Sequence, residues 1–288
     1  MTTDEARATP TARLTPLDRL RRVVPAAVGK WLNRAIYEAA YLVPEVARSG
    51  FFNGGYRPLS PNLLPVPGLG ATPSQVNLVH FVLVEHPADH RAGPPARLLD
   101  IGCGAGGGLR YAAALWPGVP MTGVDASASA IRAARRLLAP VPSVTLLRAR
   151  GEAMPLPEAG FDFVASIGTL TNVGMQPFMA EAARVLAPGG ILSLSVGTRR
   201  GPANYTRLLR EEGAKAGLTL LRVTDLTPGS LAAMEADADA LASLIARLPR
   251  VLHGQAREWA ALPGSARHAR YLAGERHDYA AVFRRTGG

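Results

Sequence analysis

Between residues 96 and 196, short apolar runs alternate with stretches whose apolar residues recur every three or four positions, the rhythm of strand followed by amphipathic helix. Ala96 to Ile101 reads as a buried strand, and Leu109, Tyr111, Ala112 and Leu115 mark the helix after it. A second run, Pro120 to Val124, ends at Asp125. Ser127 then stands as the N-cap of a helix with Ile131, Ala134, Leu137 and Leu138 on one face. Asp162 marks the start of the fourth strand. A helix carrying Phe178, Ala182, Val185 and Leu186 stops at Pro188-Gly189-Gly190, where another buried strand begins. This alternation predicts a parallel sheet with right-handed crossovers and a ligand site at the carboxyl ends of the strands.

The flanks read differently. Residues 1 to 12 show no pattern, and Thr15-Pro16 opens a short basic helix (Leu17, Leu20, Val23, Val24). A second helix spans Ala27 to Val46 with Val28, Leu32, Ala35, Ala39, Leu42 and Val46 on one face. Residues 50 to 71 are rich in Pro and Gly and form a loop, and Thr72-Pro73-Ser74-Gln75 makes a capping box before the next helix. Beyond the alternating region, 198 to 217 is a basic loop and helix and Leu218 to Thr224 a strand. One long helix then carries Leu231, Met234, Ala238, Leu241, Ile245 and Leu248, a stripe that either packs into the core or lines a substrate cavity. Tyr279 to Arg284 is the final strand. The expected organisation is a helical N-terminal extension and loop (1–72), a ligand-binding core (73–224) and a helical cap with the last strand (225–288), all in one domain.

The chemistry concentrates where the first strand turns into its helix, Asp100-Ile101-Gly102-Cys103-Gly104-Ala105-Gly106-Gly107-Gly108. Glycine costs about 1 kcal/mol in a helix interior, so a cluster at a helix entrance implies close approach of backbone to a ligand, with free N–H groups aimed at it. Gly102, Gly104 and Gly107 fit G-x-G-x-x-G, a weak signal shared with nicotinamide-dependent oxidoreductases. Asp125, at the tip of the second strand, suits the two ribose hydroxyls of an adenosine; read alone it is also a plain helix-capping acid.

Four segments taken in order resemble the class I S-adenosylmethionine-dependent methyltransferases. They are Asp100-x-Gly102-x-Gly104-x-Gly106, the acid Asp125, Gly151-Glu152-Ala153-Met154-Pro155-Leu156-Pro157 with Phe161-Asp162, and Glu181-x-x-Arg184-Val185-Leu186-x-Pro188-Gly189-Gly190. Gly50-Phe51-Phe52-Asn53-Gly54-Gly55-Tyr56 with Gln75-x-Asn77-Leu78 is similar to the lead-in of bacterial members acting on polyketide-derived, lipid and other natural-product acceptors. The resemblance implies a Rossmann-like, doubly wound seven-stranded α/β sheet whose last strand is antiparallel, with helical caps at both ends. It implies S-adenosylmethionine as cofactor. Asp100 would hold the methionine end, Asp125 the ribose and Glu152, where the family has Asp, the adenine amino group, with the Ala153 N–H on a ring nitrogen. Gly102, Cys103, Gly104, Gly106, Ala126 and Ile167 complete the expected cofactor site. Cys103 serves there as a small side chain beside the ligand.

Family members often place a His after the fourth strand; the matching residue here is Asn172, which is no base near neutral pH. Transfer then rests on alignment, with Asn172 or Thr171 orienting the acceptor and His277, beside Asp278, the candidate base nearest the last strand. The expected reaction is O-methylation of a small, fairly apolar natural product. Alternatives are C- or N-methylation, an RNA methyltransferase, a nicotinamide-dependent oxidoreductase, and a protein that binds the cofactor without turnover. Net charge is +10, yet the only lysines are Lys30 and Lys215, and arginine-rich usage of this kind also marks a GC-rich genome. Aromatics total 6% and do not interleave with the basic residues, which argues against a nucleic-acid partner; an anionic membrane surface and a homo-oligomer stay open. A single cysteine excludes an internal disulfide and points to the cytoplasm, and neither a signal peptide nor a metal-ligand cluster is visible in the sequence.

Overall fold

The computed structural model describes residues 37–70 and 72–287. Its strands are β1 (Leu98–Ile101), β2 (Met121–Asp125), β3 (Val144–Arg148), β4 (Phe161–Ile167), β5 (Leu186–Thr198), β6 (Leu218–Asp225) and β7 (His277–Arg285). They form one sheet in the order β3-β2-β1-β4-β5-β7-β6. The first five are parallel, and β7 runs antiparallel to both β5 and β6, as expected. Helices cover both faces: α1 (Pro44–Ser49), α2 (Pro73–His80), α3 (Gly107–Leu115), α4 (Ala128–Leu137), α5 (Leu170–Val173), α6 (Met175–Val185), α7 (Pro202–Lys215), α8 (Thr227–Ala236), α9 (Ala238–Ala246), α10 (Arg250–Trp259) and α11 (Ala266–Leu272). No helix among the described residues is long and apolar enough to cross a membrane.

Because side chains alternate across a strand, β1 sends Leu99 and Ile101 to one face and Leu98 to the other. The first face packs on Phe178, Met179 and Val185 of α6 and Leu209 of α7; the second packs on Val79, Leu109 and Ile131 of α2, α3 and α4. Each such side chain, fully withdrawn from water, contributes about 1.5–3 kcal/mol. The central strands are buried on both faces, which is why β4 and β5 read as nearly continuous apolar runs. Ser127 caps α4 as anticipated, its Oγ accepting the Ala130 N–H at 3.0 Å.

Three expectations need correction. The helix over Ala27 to Val46 does not run through: residues 37–40 are helical, the chain then turns, and α1 starts afresh at Pro44. Proline disfavours helix at the residue before it, and Val43 is extended (φ −79°, ψ 119°). The rest of that helix, and the one at Thr15, lie outside the described residues. Thr72 precedes α2 but makes no side-chain cap bond; instead the Gln75 Nε2 donates to the Asn53 carbonyl at 3.0 Å and the Asn53 Nδ2 to the Gln75 carbonyl at 3.2 Å. The long helix after β6 is two helices, α8 and α9, broken at Asp237 (φ −98°, ψ 2°). Its stripe serves separate clusters: Leu231 and Met234 pack with Ala261 and Tyr271, while Leu241 and Ile245 pack with Leu262. Met234, Leu241 and Ile245 are therefore buried core residues.

Candidate active site

The carboxyl ends of β1, β2 and β4 meet the glycine loop, and each backbone turn there has a visible cause. Gly102 and Gly104 adopt φ of 81° and 54°, a region costly for other residues. A Cβ on Gly102 would run into the Thr169 side chain that follows β4, and one on Gly104 would lie 2.6 Å from the Tyr41 hydroxyl. Two hydroxyls thus hang directly over the loop. Asp125, buried at the tip of β2, ties the loop to α4: its Oδ2 accepts the Gly104 N–H at 3.0 Å and its Oδ1 the Ser127 N–H at 2.8 Å. Burial raises its pKa against the pull of those two bonds.

Asp100 is different. Its carboxyl faces the first turn of α3, where a Cβ on Gly108 would stand 3.1 Å from Oδ2. Among the described residues it has neither a hydrogen bond nor an ion pair. Burial, reinforced by the charge of Asp125, pushes its pKa up to about 7. A carboxylate in that state suits a cationic ligand, such as one bearing a primary ammonium or a sulfonium. The buried Cys103 thiol, raised far above its usual range by burial, is no nucleophile; its sulfur fills the space beside Gly123.

Three residues here escaped sequence reading. The Tyr37 and Tyr41 hydroxyls sit 3.1 Å apart, with their rings packed edge to face at 4.9 Å. Burial raises both phenols well above their usual range. Between them Glu38 grips the start of α4: Oε1 accepts the Ala128 N–H at 3.0 Å, Oε2 the Ser129 N–H at 3.0 Å and the Ser129 hydroxyl at 2.6 Å. Burial works against that carboxylate, but these bonds hold its pKa below the ordinary value. The i, i+4 spacing of Tyr37 and Tyr41 on the predicted helix was the available signal.

The remaining candidates are placed as follows. Glu152 lies past β3 and pairs with Arg150, and the Ala153 N–H already donates to the Arg150 carbonyl at 3.1 Å. Ile167 ends β4, and Ala126 follows Asp125. Thr171 and Asn172 are exposed on α5 beside that loop. His277 lies farther along the same edge, half-buried and stacked on Tyr279 at 6.0 Å, in register with Thr198 of β5. Other histidines hold structure: His80 Nδ1 lies 2.8 Å from the Tyr111 hydroxyl, and His86, pushed down to about 4 by burial, bonds Thr224. The lead-in motif is a clasp, with Asn77 Nδ2 donating to the carbonyls of Tyr56 and Pro58, and the Gly50 carbonyl accepting the Gly107 N–H at 3.0 Å.

Residues 99–194, from β1 through most of β5, match the methyltransferase-domain family. The chain is a methyltransferase. This methyltransferase is 28% identical over 221 residues to a fatty-acid O-methyltransferase of Mycolicibacterium smegmatis, covering 76% of each chain. It is 26% identical over 231 residues to a phthiotriol/phenolphthiotriol dimycocerosates methyltransferase of Mycobacterium leprae, covering 80% of this chain and 82% of that one. Among solved structures, a geranyl diphosphate C-methyltransferase of Streptomyces coelicolor, in complex with Mg2+, geranyl diphosphate and S-adenosyl-L-homocysteine, shares the fold. Its TM-score is 0.61 at 19% identity, over 91% of this chain and all of that one.

Proposed function

We propose that this methyltransferase moves the methyl group of S-adenosylmethionine onto a small, fairly apolar natural-product or lipid acceptor, by O-methylation. The carrying observation is Asp100, without a partner among the described residues and with its pKa pushed up to about 7 at the mouth of a glycine loop. S-adenosylmethionine is the cofactor, and its ammonium supplies the charge that this carboxylate lacks. The Thr169 and Tyr41 hydroxyls over Gly102 and Gly104 would meet polar atoms of the methionine end, and Asp125 retains lone pairs for the ribose hydroxyls. Glu152, once turned from Arg150, would take the adenine amino group, with Ala153 beside the ring. When bound, the cofactor supplies an activated methyl; the chain aligns the acceptor and excludes water.

The relatives named for a fatty acid and for phthiotriol lipids support an apolar acceptor. Exposed Thr171 and Asn172 stand at the end of β4, where a hydroxyl and an amide can orient an acceptor oxygen. His277 supplies a proton acceptor only for an un-ionised alcohol. To test the reading, the purified protein is incubated with methyl-labelled S-adenosylmethionine and an extract of a host lacking it. Label in organic-soluble small molecules is the expected outcome. Label confined to precipitable RNA or protein would refute a small-molecule acceptor.

A further inference from the structure

Past the donor loop, the carboxyl edge of the sheet ends in a second polar cluster. Arg276, just before β7, donates through Nε to the Tyr271 hydroxyl at 3.0 Å, and that hydroxyl donates to Asp278 Oδ1 at 2.8 Å. The Arg276 guanidinium lies over Gly197 near the end of β5, 2.6 Å from where a Cβ would stand. Arg267 of α11 joins from the cap; one of its guanidinium nitrogens donates to the Trp259 carbonyl at 3.3 Å. Asp278 is thus engaged by the Tyr271 hydroxyl, and neither arginine forms an ion pair within 4.0 Å among the described residues. Burial, and then the neighbouring charge of Arg276, lower the pKa of Arg267 against the pull of Asp278 and of its hydrogen bond to Tyr271.

The cluster is linked to the donor loop by rings. Trp259 packs on Phe52 at 5.1 Å, and Phe52 packs on Tyr37 at 5.7 Å, whose neighbour Tyr41 reaches over Gly104. A run of aromatic rings thus connects the donor loop to Trp259, whose carbonyl receives Arg267. Past the end of β5, a cavity of about 620 Å3 is lined, among the described residues, by Arg199, Arg200 and Arg207 together with the acid Glu211. The approach to this edge is positively charged, which draws anions toward it.

We propose that the acceptor is an apolar carboxylic acid whose carboxylate is held by Arg276 and Arg267 and methylated on oxygen. The inference rests on the methyltransferase reading above. A carboxylate oxygen attacks the sulfonium methyl in line; the new O–CH3 bond forms as the S–CH3 bond breaks, and its electron pair stays on sulfur. The products are a methyl ester and neutral S-adenosylhomocysteine. The acid is already ionised, so no proton moves and no base is required, in keeping with Asn172 at the position where a His would stand. Arginine suits the task because its planar fork matches a carboxylate.

The test compares direct binding of laurate and dodecanol to the protein saturated with S-adenosylhomocysteine, followed by transfer with methyl-labelled S-adenosylmethionine. Laurate should bind at least tenfold tighter than dodecanol and yield an alkali-labile methyl ester. Arg276→Gln should weaken laurate binding at least tenfold and leave dodecanol and S-adenosylhomocysteine binding unchanged, with partial rescue in Arg276→Lys. Arg267→Gln should do the same to a smaller degree and stands in if the first variant does not fold. Equal affinity for acid and alcohol in the wild type, or acid binding indifferent to both substitutions, overturns the proposal. Failure to bind S-adenosylhomocysteine at all would instead strike at the methyltransferase reading.

Discussion

Asp100→Asn separates stability from ligand binding at one atom. In the wild type the carboxyl is pushed up to about 7 when folded and returns to the ordinary aspartate value of 3.8 when unfolded. Between those values the folded state holds the proton more tightly, so stability is greatest below about pH 4, falls as pH rises, and levels off above 7. About three pKa units at about 1.4 kcal/mol each amount to about 4 kcal/mol in all, of which about 3 kcal/mol falls between pH 5 and 8. The amide is isosteric and has no charge to bury. Urea unfolding of both proteins at pH 5 and 8 should therefore show the variant gaining about 3 kcal/mol on the wild type across that interval. All other groups are common to both and cancel. Titration with S-adenosylhomocysteine should show the reverse preference. Wild-type affinity should strengthen as pH rises through 7 and Asp100 ionises, whereas the variant should bind at least tenfold more weakly, without that pH dependence. A stability difference that stays constant from pH 5 to 8 would refute the assignment of a largely desolvated carboxyl, without a partner among the described residues, to this position.

The other predictions address the loop and its neighbours. Gly102→Ala should cost well over 2 kcal/mol in a melting experiment, because a positive φ and the Thr169 side chain oppose the new methyl. Gly118→Ala, with φ 82° but open space, should cost only about 1 kcal/mol. Glu38→Ala leaves two helix N–H groups without their side-chain acceptor, while the Ser129 hydroxyl keeps the carbonyl of residue 38; it should lower stability by about 1–2 kcal/mol, read by chemical denaturation. Asp125→Ala should weaken S-adenosylhomocysteine binding at least tenfold, about 1.4 kcal/mol by calorimetry. Unchanged affinity would remove it from the ribose role. Asn172→Ala should lower kcat on the acceptor while cofactor affinity holds, which a combined kinetic and binding measurement distinguishes.

What the sequence disclosed was local. The strands from Leu98 to Thr198 and the Ser127 cap follow from periodicity and turn chemistry acting over a few residues, although the helix before β5 ends at Val185 and the strand already runs through Pro188-Gly189-Gly190, where a stop was expected. The positions of Asp100, Asp125 and the glycine loop were legible for the same reason. Contacts between distant segments were not. Glu38 meets Ser129 across about ninety positions, and nothing in either neighbourhood announces the other. Thr72 had the spelling of a capping box, but its side chain stayed out of the cap while Gln75 bonded Asn53, a tertiary bond overriding a local rule. The apolar stripe from Leu231 to Leu248 kept its period through Asp237, so periodicity alone could not reveal that its halves pack in different directions.

The place of β7 between β5 and β6 bears on how the chain comes to be folded during synthesis. Residues 218–225 have no partner in the sheet until residues 277–285 arrive, so β6 emerges from the ribosome well before the strand that must receive it. Until then the β5 edge and the face of Phe283's future cluster stay open, exposing apolar surface to other nascent chains. A premature stop upstream of Tyr279 would leave that edge open permanently, and the truncated product should be recovered in aggregates while its donor loop is fully encoded.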